Sequence, residues 1–156
     1  MNKKITSHRN KIYDYVVLFS HSSLKMSLTD DGWIANDYLP VEKDKVVEVY
    51  NFFFKPQDSW QNTLYSQTGE LEFSVYFDEE KPEKIESIVI RISLKPQLSK
   101  EKVLNIAQTV VNISKKLELL PFDVYSGKIM NSDDEITASI RNSPKGKMYG
   151  YYELFK

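Results

Sequence analysis

His8 and His21 are the only two imidazoles in the chain, and His21 stands among Ser20, Ser22 and Ser23. Two histidines and a lysine are enough for acid–base cleavage of RNA. Their setting does not favour it. Neighbours in sequence rarely face each other productively, and no nucleophile elbow surrounds these serines. A solvated loop explains the segment more simply. There is no cysteine, which removes disulfides, thiolate nucleophiles and cysteine-based zinc or iron–sulfur sites together. H-E-x-x-H and both glycine-rich phosphate motifs are absent, and 5 glycines leave little from which to build a phosphate cradle. Asp30-Asp31-Gly32 looks like part of a calcium loop without its later ligands. A hairpin turn accounts for it. Asp133-Asp134-Glu135 is either a cation or partner patch or, more simply, the acidic first turn of a helix. Asn112-Ile113-Ser114 matches a glycosylation sequon but falls inside the clearest helix, so it is set aside. No cofactor and no metal is expected.

Bulk properties narrow the partners. The chain has 156 residues, the length of one domain able to bury its own core. Its 21 Lys+Arg and 22 Asp+Glu nearly cancel. Binding by phosphate neutralisation asks for a basic surplus, and mimicry of nucleic acid for an acidic one. Neither surplus exists. Met1 to Lys4 resembles the basic start of an export signal, but the apolar run that follows, Tyr15 to Phe19, is too short for one and far too short to span a bilayer. A cytoplasmic protein contacting neither nucleic acid nor membrane is expected. Aromatics reach 13%, with 10 tyrosines. Tyr suits ordinary strands and also surfaces that are wet when free and buried when bound.

Periodicity supplies the elements. Leu71, Phe73, Val75 and Phe77 alternate with Glu72, Ser74 and Tyr76, and Ile88, Ile90, Ile92 and Leu94 with Ser87, Val89, Arg91 and Ser93, so two strands are predicted. The short charged link from Asp78 to Lys84 makes them antiparallel neighbours. After Ser99, a natural N-cap, apolar residues from Val103 to Leu117 recur at three- and four-residue steps and predict a helix. Pro121 marks its exit. Phe122–Tyr125 reads as a strand, Ser126-Gly127 as a turn, and Asn131–Glu135 as the capped start of a short helix through Ile140. Upstream, Tyr13–Phe19 reads as a central strand. A hairpin follows: Leu24, Met26 and Leu28, a turn at Asp31-Gly32, then a return from Trp33 to Leu39. Residues 46–54 favour strand by composition. However, Glu48, Asn51 and Lys55 are three and four apart, so a helix is predicted over 42–55. Gln57–Gly69, holding Trp60 and Tyr65, reads as a surface loop.

This order predicts an α+β fold: an antiparallel sheet with two main helices on one face. It corresponds to a ferredoxin-like βαββαβ core with an inserted hairpin and a C-terminal extension. The other face would carry Glu72, Ser74, Tyr76, Val89 and Arg91. RNA-recognition motifs share the order but present aromatics on the strand that here offers Val89 and Arg91. The aromatic C-terminus, Lys147–Lys156, either packs back on the core or forms a sticky contact for a partner or a second copy.

From Leu71 through Pro144, the strands LEFSVYF and SIVIRISL, the amphipathic helix and the stretch LPFDVYSGKIMNSDDEITASI resemble small bacterial immunity proteins of toxin–immunity systems. The resemblance is one of element pattern, so it transfers no functional residue. It implies a non-enzymatic protein-binding module that neutralises a toxin. The alternatives are a small-molecule-binding regulatory domain and a hydrolase or nuclease using His8 or His21. Interface energy concentrates in Tyr, Trp and Arg. The residues expected to meet a partner are therefore Asp30, Asp31 and Trp33 at the hairpin, Trp60 and Tyr65 in the loop, and Tyr76 and Arg91 on the open sheet face.

Overall fold

A computed structural model describes residues 15–55 and 63–156. Its first strand, β1 (Tyr15–Ser20), is buried along its whole length, as the run Val16-Val17-Leu18-Phe19 requires. A two-stranded hairpin follows, β2 (Met26–Thr29) and β3 (Gly32–Ala35), and then α1 (Lys43–Phe53). Next come β4 (Thr63–Thr68), β5 (Leu71–Phe77) and β6 (Ile85–Ile92), followed by α2 (Lys100–Leu117). The chain closes with β7 (Leu120–Asp123), β8 (Lys128–Ile129), α3 (Asp133–Asn142), α4 (Pro144–Met148) and a 3-10 turn over Tyr151–Phe155. The fold is α+β. One antiparallel sheet of six strands runs in the order β4-β5-β6-β1-β7-β8, and the hairpin forms a sheet of its own.

Alternation divides the sheet residues between two clusters. Tyr15, Val17, Phe19, Phe73, Val75, Ile88, Ile90 and Ile92 share a core with the buried faces of α1, α2 and α3. Val16, Leu18, Val89 and Phe122 point the other way, and Met26 and Trp33 of the hairpin pack on them. The register of β5 on β6 shifts between Tyr76 and Phe77, which pair with Ser87 and Ile85. The extra residue, Glu86, is a bulge that changes the parity of the strand, so Ile85 joins the same core as Ile88.

The helix ends follow from their caps. Ser99 accepts a hydrogen bond from Lys102 N at 3.1 Å, worth about 1 kcal/mol. The exit of α2 is Glu118 in the left-handed region at φ 56°, with Lys115 and Lys116 beside the negative end of the helix. At α3, Ser132 accepts from Glu135 N, and the Glu135 carboxylate accepts from Asn131 N at 2.8 Å. The acidic run is therefore tied to the helix start, close to a capping box.

Several sequence expectations need correction. Thr63–Thr68 is a strand, not part of a loop. Its two-residue link to β5 begins with Gly69 at φ 60°, as a tight hairpin turn of the II′ kind asks. Ser66, buried on its inner side, donates to Lys55 O at 2.7 Å. The hairpin turn is Asp30-Asp31, and Gly32 is already paired with Thr29. The returning strand stops at Ala35, and Leu39 makes only an isolated bridge to Ile85. Pro121 sits inside β7 rather than before it. The C-terminal segment packs back in part: Tyr151 is buried, its hydroxyl within hydrogen-bonding reach of the Lys95 backbone N–H and carbonyl.

Candidate functional site

The sheet side that bears the hairpin has two halves of different chemistry. The β1-β7 half is apolar, and the hairpin covers it. Trp33 stacks edge-on against Phe122 with ring centroids 5.0 Å apart, and its indole N–H donates to Val124 O at 2.9 Å. Gly127, at φ 71°, comes so close that an added Cβ would stand 2.9 Å from the indole. A side chain is excluded there twice over, by backbone and by space. Trp33 is thus a packing residue with an exposed edge.

The β5-β6 half is polar. Glu72, Ser74 and Tyr76 fall two residues apart on one face of β5, and Glu72 lies directly across from Arg91 on β6. Arg91 extends along this row. Its guanidinium donates to Glu72 Oε2 at 2.8 Å, to Ser74 Oγ at 3.1 Å and to the Tyr76 hydroxyl at 3.3 Å. Arg91 is 1% exposed and Glu72 2%. The sheet face at Arg91 is therefore not open, which corrects its placement as a surface contact. A cation buried this deeply is held by its carboxylate and hydroxyl partners. Beyond Ser74, the next strand places Tyr65 on the same side.

Of the residues expected to meet a partner, the structure brings six to one side of the sheet. Arg91 and Tyr76 are bonded to each other, Tyr65 is their neighbour, and Asp30, Asp31 and Trp33 ride on the hairpin above the apolar half. Trp60 lies outside the described residues. The face of the hairpin that meets the sheet carries Met26, Leu28, Trp33 and Ala35, because opposite residues of a strand pair share a face. Met26 and Trp33 reach the sheet, whereas Leu28, next to the tip, stays 66% exposed. Sequence reasoning passed over Leu28 and the Glu72–Arg91 pair. The signal for the pair was an acid and a base on facing strands, readable only once the register was known.

No protein-family model, no characterised protein and no solved structure matches this chain.

Other polar groups are engaged in local structure. His21 Nδ1 lies 3.0 Å from Ser23 N and 2.7 Å from Ser23 Oγ, closing its own turn. His8 lies outside the described residues. Burial pushes the Tyr15 phenol far above its usual range, and the hydroxyl bonds to Ser139 Oγ at 2.6 Å in the helix-side core. Tyr38 donates to Asp78 Oδ2 at 2.8 Å, which holds that carboxyl below its ordinary value. Among the described residues, no group of three or more His, Asp or Glu is placed to hold a metal ion, and no helix is long and apolar enough to cross a membrane.

Proposed function

We propose that this protein is a non-enzymatic protein-binding module of the immunity type, and that it meets its partner, a toxin, with the hairpin-bearing side of the sheet. The convergence of Asp30, Asp31, Trp33, Tyr65 and Tyr76 on that side carries the proposal, because three sequence regions then make one surface. Arg91 acts from beneath: its bond to the Tyr76 hydroxyl holds a half-buried aromatic at the surface. Leu28 is the exposed apolar anchor, and Asp30 and Asp31 form the turn that follows its strand. Such a patch, rigid and aromatic with a few charges, fits the anatomy of protein interfaces. The scaffold is best read as ferredoxin-like. β1, α1, β5, β6, α2 and β7 follow the βαββαβ order, with β4 and β8 added at the two edges.

Leu28→Ala and Asp30→Lys are expected to weaken a purified complex with the partner by about 2 kcal/mol or more while the melting temperature stays nearly constant. Phe52→Ala, on α1, is the control and should bind as wild type. Calorimetric titration measures both sets. Wild-type affinity in the two hairpin variants would remove the proposed surface.

The small-molecule reading has one observation in its favour. A cavity of about 610 Å³ opens beside the start of α1, lined by Tyr38, Pro40, Glu42, Asp44, Glu83 and neighbouring residues.

A further inference from the structure

The net charge of −1 hides a separation of charge along β6. Residues 37–44 and 78–86, at the strand's beginning, hold eight carboxylates and three lysines. The cavity of about 610 Å³ lies in this acidic end. At the strand's far end the C-terminal segment docks through Tyr151 on the Lys95 backbone. Residues 141–156 carry four cations and one acid. Eight strand residues separate the two ends, roughly 26 Å at the usual rise.

The basic end also exposes apolar groups. Met148 is 70% exposed and Tyr152 59%. Cations lie over its rings: Arg141 over Tyr152 and Phe155, Lys100 over Phe155, and Lys145 over Tyr149. These contacts take up ring faces that single-stranded nucleic acid would need for stacking. The apolar exposure comes from a five-residue helix and a five-residue 3-10 turn, too short for a helix lying in a bilayer interface.

We propose that the C-terminal patch binds the acidic, cavity-bearing end of a second copy of this chain. The occupant is supplied by the molecule itself, at its own concentration and with opposite charge. The small net charge leaves little overall repulsion to keep copies apart. The contact is heterologous and head-to-tail, so a dimer keeps one free end of each kind and assembly grows with concentration. The hairpin-bearing side takes no part, and this association is independent of the proposed partner site.

Sedimentation velocity on the full chain tests it. At about 0.01 M salt the mean mass should rise with protein concentration, and at about 1 M it should fall to the monomer, since screening shortens from about 30 Å to about 3 Å. Lys145→Gln with Lys147→Gln removes one end, and Glu42→Gln with Glu83→Gln removes the other. Glu42 makes no side-chain cap bond, so that change leaves α1 formed. Each double variant alone should associate at least tenfold more weakly. Mixed in equal amounts, they should form dimers and nothing larger, because each contributes the end the other lacks. A wild-type protein that stays monomeric at low salt, or one whose assembly survives in both variants, overturns the proposal. A monomer that binds anionic vesicles or an oligonucleotide through Lys145 and Lys147 overturns it as well and gives the patch to that ligand.

Discussion

Arg91→Ala is expected to lower the unfolding free energy by about 3–5 kcal/mol. The loss comes from what the substitution leaves behind. Glu72 is 2% exposed and directly across the strand pair, so its carboxylate stays buried while losing the 2.8 Å bond from the guanidinium. Ser74 and Tyr76 lose their donor at the same time. Glu72→Ala should cost a similar amount for the complementary reason, a buried guanidinium that has lost its carboxylate. The double variant Arg91→Met with Glu72→Leu should recover most of either loss, because replacing both ions with apolar groups removes two desolvation penalties together. Urea denaturation of the wild type and the three variants measures how much of either single loss the double variant recovers. Strictly additive losses would mean that the pair does not act as a unit. The double variant should still lose partner affinity, because nothing then steadies the Tyr76 hydroxyl.

Ile90→Ala is expected to cost about 2–5 kcal/mol. Ile90 is 0% exposed, on the sheet side that faces Val103, Ile106 and Val110 of α2. Truncation removes transfer free energy and leaves a cavity at the centre of the sheet, between β1 and β5, where neighbours on both sides limit collapse. The spread of the estimate reflects how far Phe73 and Val17, paired with Ile90 on either side, can move in. A change under about 0.5 kcal/mol in a denaturant melt, the size of an ordinary surface substitution, would contradict this core.

The parts of the fold that were legible in the sequence are those whose pattern is local. The apolar spacing of α2 with its Ser99 cap, and the alternation in β5 and β6, are complete within their own residues. The three- and four-residue steps of Glu48, Asn51 and Lys55 identified α1 against its strand-like composition, because its buried stripe is Val46, Val49 and Tyr50. The parts that were not legible rest on distant partners. β4 shows little apolar alternation because Ser66 is buried through a hydroxyl bonded to Lys55 O. The burial of Trp33 depends on Val124 and Phe122, far along the chain. Arg91 reads as a surface residue because arginine is seldom fully buried unless paired, and its partner Glu72 becomes visible only with the register. The candidate site was legible as residue types. Its gathering on one side of the sheet was not, since that depends on where the hairpin folds back and on β4 being a strand.

The most direct measurement is site-specific photo-crosslinking in extract from the native cells, with a photoreactive phenylalanine analogue placed at Leu28, Asp30, Phe52 or Leu104 in turn. The first two positions lie at the hairpin tip, and the last two are exposed on α1 and α2. Adducts to one partner protein from Leu28 and Asp30, and none from Phe52 or Leu104, are the predicted result. Adducts to that partner only from the helix positions would contradict the account.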